Sequence, residues 1–469
     1  MARPADTRNK GQSILDKFVE IASRVGAQRH LGAIRDGFAS IMPIIICGSI
    51  AHILILQIPL TLNPTPGIDV MTWRDLLSQH VPWFVDLCLQ VWWATFGILS
   101  LFAVFSIAYQ LTKAKGGNPL GGGITALAAY FTFVPQAATV TVEGVTGGAW
   151  GLIDWNYTSA NGLFVAIIVA LLSAELFTVL CNAKFLEIKM PEGVPPAVSR
   201  SFAVLFPGII TIFAASALNT AILKVSGAVM LQSTGEWMEL NFFQLMTRLI
   251  QPLLTAVDSL GAALGIVALN QILWFFGLHG SNILEGFIQP ISLQLVSENL
   301  TAYEAGAAAL PHIVTKPFLD AFVHLGGSGA TLGLVIAILL VSRSKATRTM
   351  GKLSIAPGIF NINEPAIFGM PIVLNLVYLI PFFLVPLILV CTSYFATSLG
   401  LVSRTVAQIP WATPPILSGW LVTGGDWRAI ILQIVNIVIS VVAYMPFVKI
   451  ADQAELKKEQ ELAGTLAQA

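Results

Sequence analysis

Long apolar runs, separated by short polar segments, recur along the whole chain. The runs at 376–399 and 429–448 hold no Asp, Glu, Lys or Arg over 24 and 20 residues. A helix of about 20 apolar residues crosses roughly 30 Å of hydrocarbon. The pattern therefore predicts membrane-spanning helices at 38–58, 91–111, 121–141, 162–181, 203–224, 257–277, 325–342, 376–399 and 428–448.

The composition narrows the class of protein. Of the 469 residues, 55% are hydrophobic and only 11% are charged, which is typical of a polytopic membrane protein and argues against a soluble domain. The formal net charge is zero, so no nucleic-acid surface is expected. The cysteines lie singly in or near apolar runs, so we expect core residues and neither a metal site nor a disulfide framework. They are Cys47, Cys88, Cys181 and Cys391.

Basic residues predict the orientation of the chain in the membrane. Residues 2–35 hold seven Lys or Arg against three Asp or Glu, and the loop 342–352 holds four basic residues and no acid. Lys and Arg mark loops that stay on the cytoplasmic side. The amino terminus and the loop 342–352 are therefore predicted to be cytoplasmic. Because the amino terminus is charged, we expect the first apolar span itself to direct insertion.

Four polar interruptions divide the apolar pattern of the second half. Backbone that is not helical at membrane depth is tolerated only where protein buries it or where it lines a water-filled cavity. The second and third interruptions are therefore predicted to form re-entrant hairpins around a polar site. The four are WFFGLHGSN (274–282), HIVTKPFLDAFVHLGGSGATLG (312–333), GIFNINEPAIFGMP (358–371) and PWATPP (410–415).

Glu364, in the third interruption, is the principal functional candidate. A charged side chain at mid-bilayer costs roughly 2.5–3.5 kcal/mol on insertion scales, so an intramembrane carboxylate needs an explanation. One alternative is structural, since a carboxylate beside turn residues can cap a helix or stabilise a hairpin. The other is functional, because a carboxylate can orient a hydroxyl group and accept its proton.

These segments carry a resemblance to a known family. The stretches GLHG (277–280), KPFLDAFVHLGGSGATLGL (316–334), GIFNINEPAIFGMPIVLN (358–375) and PPAVSRSFAVLFPG (195–208) closely resemble the membrane (IIC) component of the bacterial phosphoenolpyruvate-dependent sugar phosphotransferase system. The resembling branch is the lactose, cellobiose and diacetylchitobiose branch. It implies an all-α polytopic membrane protein of the bacterial plasma (inner) membrane, with about ten transmembrane helices and two re-entrant hairpins, working as an elevator.

The resemblance also implies a division of the chain and a set of partners. Residues 1–36 would form a cytoplasmic amphipathic segment, 37–235 a scaffold and dimerisation domain, 236–449 a substrate-binding domain with the hairpins, and 450–469 a cytoplasmic tail. The implied partners are a disaccharide, a IIB protein that carries phosphocysteine, the lipid bilayer and a second copy of the chain. No cofactor is expected, and the chain would act as a phosphotransferase only together with phosphorylated IIB.

Site residues follow from the matching motifs. The resemblance implies that Glu364 and His279 act at the reacting end of the sugar. The other residues assigned to sugar binding are Trp274, Asn282, Gly327, Ser328, Asn363 and Trp411.

Structural alternatives stay open for these residues. His279 can be a core histidine, the two tryptophans can belong to an interfacial belt, and the asparagines can simply form turns. Lys316 and Asp320, four residues apart, are expected to pair with each other on one helix face.

Three functions compete at this point. The first is group translocation, in which a permease presents a β-linked disaccharide to IIB. The second is an ion-coupled secondary transporter that uses Glu364 or His279 as a proton site. The third is a membrane-embedded transferase acting alone, which is disfavoured because spans and short loops account for the chain and leave no phosphorylatable domain. The motifs favour the first.

Overall fold

A computed structural model describes residues 20, 24, 27–55, 71–142, 145–186, 202–234, 241–307, 309–370, 372 and 375–468. The described part is mostly helical, in agreement with the helical membrane fold predicted from the apolar runs. Most of the predicted segment 1–36, the end of the first predicted span at 56–58, and residues 195–201 of the PPAVSRSFAVLFPG motif lie outside these ranges.

The first half of the chain forms a bundle of long apolar helices. The central helix, Leu99–Ala114, packs against three other helices, Arg29–Leu54, Pro119–Phe131 and Leu163–Cys181. Its buried Ser100 donates to the carbonyl oxygen of Thr158 at 2.7 Å, which satisfies a polar group inside the apolar bundle. The helices are α1 Arg29–Leu54, α2 Trp73–His80, α3 Pro82–Trp93, α4 Leu99–Ala114, α5 Pro119–Phe131, α6 Leu163–Cys181 and α7 Leu205–Thr234.

The second half combines long helices with short broken ones. Apolar residues recur at helical spacing in 241–256, which predicts an amphipathic helix there. The helix is observed at 242–257 and meets the next helix at an angle of 77°. The helices are α8 Phe242–Val257, α9 Leu260–Phe275, α10 Gly280–Glu304, α11 Lys316–Phe322, α12 Thr331–Val341, α13 Lys345–Ile359, α14 Glu364–Gly369, α15 Leu376–Ser398, α16 Leu417–Val422 and α17 Trp427–Gln468.

A small β-sheet departs from the expected all-helical architecture. Strands β1 Ala137–Val142 and β2 Val145–Trp150 pair antiparallel, with Ala137 opposite Trp150. The predicted span at 121–141 therefore ends early, because the helix stops at Phe131. The run AATVTV is rich in β-branched residues, which favour a strand, and its apolar character alone did not distinguish strand from helix.

Two tight turns interrupt the second half where hairpins were predicted. The first turn, between α11 and α12, places Gly326, Gly327, Gly329 and Ala330 at positive φ, a conformation that glycine adopts without strain. The second, between α13 and α14, places Asn361 at φ 61°, which asparagine tolerates better than most residues. Both turns therefore follow directly from the local sequence.

Two buried apolar clusters divide the described residues. One is built almost entirely from α1, α4, α5 and α6, with Phe242 and Phe243 of α8 added. The other is built from α9 and α11–α17. The boundary of the two clusters lies near α8, so each half of the chain has an apolar core of its own.

Within the described residues, six helices are long and apolar enough to cross a membrane, and the bent pair α8–α9 gives a possible seventh. The count of about ten spans stays a prediction. The spans differ in how much of their surface the chain itself covers: only 11% of the apolar window of α7 is buried, against 33–50% in the other five. The described residues therefore leave most of the surface of α7 uncovered.

We predict that Gly329→Ala destabilises the fold. A Cβ atom at this position would lie 2.3 Å from the Phe382 ring, and the backbone has φ +82°. Overpacking and left-handed strain together should lower the free energy of unfolding by about 2 kcal/mol. Thermal unfolding of the purified protein in detergent measures the loss. The matched control is Gly261→Ala, whose Cβ would meet nothing within 4 Å; equal midpoints for the two variants would contradict the prediction.

Candidate functional site

A cavity of about 700 Å³ lies between α1 and the polar interruptions of the second half. Residues from all four interruptions line it, together with Arg35, Asp36 and Ser49 of α1. All eight residues named from the sequence are in its wall: Trp274, His279, Asn282, Gly327, Ser328, Asn363, Glu364 and Trp411. The fold thus brings together segments that are separated by as many as 137 positions in the chain, from Trp274 to Trp411.

Glu364 and His279 face each other in this cavity. The distance from His279 Nε2 to Glu364 Oε1 is 3.7 Å, and both side chains are close to half exposed, at 40% and 46%. Glu364 is the first residue of α14 and His279 is the N-cap of α10, so two helix starts position the pair. Because 3.7 Å exceeds a hydrogen bond, the two groups are free to share a bound hydroxyl group between them.

A hydrogen bond determines which ring nitrogen of His279 carries the proton. The backbone N–H of Asn282 donates to His279 Nδ1 at 3.2 Å. Since Nδ1 accepts, the proton of the neutral imidazole lies on Nε2, the nitrogen that faces Glu364. The site therefore presents a donor and a carboxylate acceptor side by side. That combination suits a hydroxyl group, which both donates and accepts.

The two tryptophans occupy different environments. The Trp274 ring lies 4.3 Å from the His279 ring, centroid to centroid, and its residue is only 3% exposed. Trp411 is 43% exposed, so its indole face is available to a ligand. Trp274 therefore supports the position of His279, whereas Trp411 offers an aromatic surface of the kind that stacks on a sugar ring.

Asn363, Ser328 and Gly327 join the two hairpin tips. Asn363 Nδ2 donates to the carbonyl oxygen of Ser328 at 2.9 Å. The Ser328 hydroxyl accepts from Asn270 Nδ2 at 3.0 Å. A Cβ at Gly327 would lie 2.7 Å from the Asn363 side chain, so only glycine permits this approach. The structural alternative for Asn363 thus has a definite basis in these contacts, while Asn282 is exposed to the cavity.

Asn361, which the sequence analysis did not single out, connects three segments. Its Oδ1 accepts from the Gly326 N–H at 2.8 Å, and its Nδ2 donates to the carbonyl oxygen of Trp411 at 2.6 Å. The residue therefore ties the turn before α14 to the turn between α11 and α12 and to the loop that carries Trp411. Its place in an Asn-Ile-Asn turn was the only signal in the sequence.

A row of charged residues also lines the cavity, and the sequence analysis did not assign these residues to the site. Lys316 and Asp320 form the predicted ion pair, at 2.6 Å. Asp320 also faces His324, with Oδ1 to Nδ1 at 3.6 Å, and all three line the cavity beside Glu285. The spacing of four and eight residues placed these side chains on one face, but nothing in the sequence indicated that the face is open to a cavity.

The arrangement defines a class of protein. A helical membrane protein that encloses a large polar cavity, with a carboxylate and an imidazole at the tips of two broken segments, is a membrane carrier for a polar solute. Among the described residues, no group of three or more His, Cys, Asp or Glu side chains could hold a metal ion. Residues 35–386 match the family described as Phosphotransferase system, EIIC. The chain belongs to this family of sugar permease components.

Relatives match over nearly the full chain. The "Lichenan permease IIC component" of Bacillus subtilis (strain 168) is 39% identical over 97% of this chain and 96% of its own length. The "PTS system cellobiose-specific EIIC component" of Geobacillus stearothermophilus is 37% identical over 95% of both. The crystal structure of the transporter ChbC, the IIC component of the N,N'-diacetylchitobiose-specific phosphotransferase system, matches with a TM-score of 0.84 and 38% identity over 95% of this chain and 99% of that one.

We predict that Asn361→Ala loosens the cavity. The substitution removes the contacts to Gly326 and Trp411 and leaves alanine in a left-handed conformation, so the free energy of unfolding should fall by about 2–4 kcal/mol. Asn361→Gly loses the same contacts but adopts φ 61° without strain, so it should lose less. Thermal unfolding and the affinity for a labelled disaccharide measure both effects. An alanine variant as stable as the wild type would rule out this role for Asn361.

Proposed function

We propose that this EIIC permease imports a β-linked disaccharide, such as cellobiose, N,N'-diacetylchitobiose or lactose, and presents it to a IIB protein for phosphorylation. The observation that carries the proposal is the Glu364–His279 pair inside a cavity of about 700 Å³. Cavities of roughly 300–1,000 Å³ hold ligands of drug size, a range that includes a disaccharide. The names of the relatives refer to sugars of this class.

Glu364 and His279 act on the hydroxyl group that receives phosphate. Phosphoryl transfer requires the attacking oxygen to lie in line with the donor and to lose its proton late in the reaction. Glu364 Oε1 accepts the hydroxyl proton, while His279 Nε2–H donates to the sugar and holds its position. Trp411 stacks on a pyranose ring, and Asn282 and the Gly327–Ser328 turn contact further hydroxyl groups. Trp274 and Asn363 hold these elements in place.

The charged row extends the same site. Lys316, Asp320 and Glu285 also line the cavity. Lys316 can donate to sugar hydroxyl groups, and the two carboxylates can accept from them. Charged groups make stronger hydrogen bonds than neutral ones. They are therefore part of the proposed sugar site, in addition to the residues derived from the motifs.

Phosphorylated IIB approaches from the cytoplasmic side. Arg343, Lys345, Arg348 and Lys352 are all exposed, at or near the start of α13, the helix that leads to the turn before Glu364. We call these four residues the basic face. A cluster of exposed cations attracts an acidic or phosphorylated partner and raises its rate of association. The phosphoryl donor is a phosphocysteine of IIB.

The proposed assembly is a homodimer that works as an elevator. The amino terminus is cytoplasmic, residues 37–235 form the scaffold, and residues 236–449 carry the sugar. Two separate apolar cores support this division, because each half can move as a unit. The poorly covered surface of α7 supports a dimer contact in the scaffold.

The ion-coupled alternative predicts a different energy source. A secondary transporter needs a proton or sodium gradient, whereas phosphorylation traps the sugar and makes import irreversible. The test is uptake of a panel of labelled disaccharides by vesicles supplied with IIB and its phosphoryl donor, scored for sugar phosphate, with and without an ionophore. We expect phosphorylated product and no effect of the ionophore. Collapse of uptake with the ionophore, while IIB stays phosphorylated, would favour ion coupling.

We predict that Glu364→Gln abolishes sugar phosphate formation and leaves the fold intact. The amide keeps the size of the side chain and removes its charge and basicity, so phosphorylation should fall by about 10²-fold or more. Sugar binding should fall less. His279→Ala should weaken binding and phosphorylation together, because it removes the donor at Nε2. Near wild-type phosphorylation in the glutamine variant would exclude the proposed role of Glu364.

We predict that neutralising the basic face slows phosphorylation. Replacing its four residues with glutamine should reduce the rate of phosphorylation about tenfold at low ionic strength. The reduction should be smaller at high salt, because salt already screens the attraction between IIB and the wild-type protein. Sugar binding should not change. The matched control is neutralisation of Lys113, in the last turn of α4, and Lys184, which follows α6; both are exposed, and the basic residues at these two positions also predict the cytoplasmic side. A native rate at low salt would show that IIB docks elsewhere.

A further inference from the structure

A second, much smaller cavity lies between the two halves of the chain. Its volume is about 40 Å³. The first half contributes the end of α1, the end of α3 and the segment around Trp155–Ala160, and the second half contributes residues 293–300 of α10 and residues 406–408. Ser49 and Gln408 line both this cavity and the large one. The small cavity therefore lies next to the large one.

Three buried polar atoms in its wall have no hydrogen-bond partner among the described residues. They are His52 Nε2, Ser159 Oγ and Gln408 Oε1. His52 is 7% exposed and Ser159 is 2% exposed. Nine further buried polar atoms elsewhere in the described residues also lack a partner, but these three lie around a single cavity. Water can supply partners in a cavity of this size, and a ligand with several hydroxyl groups could do so only if the cavity were wider.

Aromatic rings form the rest of the wall. Trp92 and Trp155 line the cavity, with their ring centroids 5.9 Å apart, and Phe96 lies beside them. Aromatic faces combined with a few polar atoms are typical of protein surfaces that bind sugars. The chemistry of the small cavity is thus the same as that of the large one.

The small cavity cannot hold a sugar in this conformation. A water molecule needs roughly 10–15 Å³ measured in the same way, so about 40 Å³ has room for only a few waters. A disaccharide can occupy this place only when the two halves separate. The structure therefore describes the closed state of this junction.

One ion pair connects the halves at the far end of the same junction. Arg74 Nη1 lies 3.5 Å from Glu304 Oε1, and it is the only ion pair between residues 37–235 and 236–449 in the described part of the chain. Glu304 follows Leu300, a cavity residue, by one helical turn. Arg74 lies on α2, whose first residue, Trp73, donates through Nε1 to the carbonyl oxygen of Leu54, close to His52.

We propose that the small cavity is the closed outer access passage for the sugar. In the open state His52, Ser159 and Gln408 would bind sugar hydroxyls and Trp92 and Trp155 would contact the pyranose rings. The Arg74–Glu304 pair closes the passage behind the sugar. This inference rests on the proposed import of a disaccharide and on the proposed cytoplasmic amino terminus, which places the end of α1 on the outer side.

Replacement of His52 by leucine tests the passage. The substitution removes a polar atom that has no partner in the closed state, so His52→Leu should raise the midpoint of thermal unfolding. It should also slow uptake from the outside by about fivefold or more, because the open state loses a hydroxyl partner and the closed state gains stability. Phosphorylation of sugar offered from the cytoplasmic side should stay within about twofold of the wild type.

The matched control is His80→Leu, an exposed histidine at the end of α2, which should change neither stability nor uptake. If His52→Leu lowers the unfolding midpoint and reduces uptake and cytoplasmic phosphorylation alike, His52 is an ordinary core residue and the inference is wrong. If its uptake from the outside equals that of the wild type, the passage lies elsewhere and the inference is also wrong.

A reversible lock tests the closing pair independently. Arg74→Cys and Glu304→Cys, in a background without the native cysteines, are joined by a short cleavable cross-linker. The locked protein should bind sugar and phosphorylate it from the cytoplasmic side, import none from the outside, and recover import on cleavage. Import by the locked protein would overturn the inference. If the unlocked protein neither binds nor phosphorylates any disaccharide, the proposed function has failed instead, and the two failures are distinguishable.

Discussion

The structure depends on one constraint: polar backbone groups inside a hydrocarbon layer must find partners within the protein. Two turns break the helices of the second half, and each exposes backbone groups that no helix satisfies. Asn361 and Asn363 supply the missing partners, because they bind Gly326 and Ser328 of the facing hairpin. Once these turns are satisfied, unwound backbone can line a polar cavity at a depth where it would otherwise be excluded.

The two halves contribute unequally to the polar wall of the cavity. The second half contributes the hairpin tips, the His279–Glu364 pair and the charged row on α11. The first half contributes mainly the surface of α1 between Arg35 and Ser49, about 21 Å of helix at 1.5 Å per residue. A sugar carried by the second half would therefore slide past a long, largely apolar helix of the first half, which suits a moving domain against a fixed one.

The junction between the halves has a polarity of its own. Inside each core, buried polar groups such as Ser100 and Asn436 have partners. Other buried polar atoms in both halves, such as Thr112 Oγ1 and Thr397 Oγ1, lack partners in the described residues, as do three atoms at the junction, which one ion pair spans. Unpaired groups destabilise a contact. In the proposed open passage, sugar hydroxyl groups would reach the three atoms at the junction and give them partners.

The sequence by itself determined the membrane class and the positions of the polar interruptions with their glycine and asparagine turns, and it singled out Glu364 and His279 as candidate residues. These features depend on local composition and on short motifs, which sequence patterns record directly. Two features were not predicted from the sequence. The run at 137–142 lies in a predicted helical span but forms a strand, and Lys316 and Asp320 were interpreted only as a pair on one helix.

Only the tertiary structure decided which segments meet. The contacts that build the cavity join residues 35, 50 and 58 positions apart, as in Asn361–Gly326, Asn361–Trp411 and Asn270–Ser328. The small cavity requires five segments from both halves. Helical periodicity specifies which face of a helix is apolar, but it does not specify the neighbour that covers that face. That choice is made by the packing of distant helices against one another.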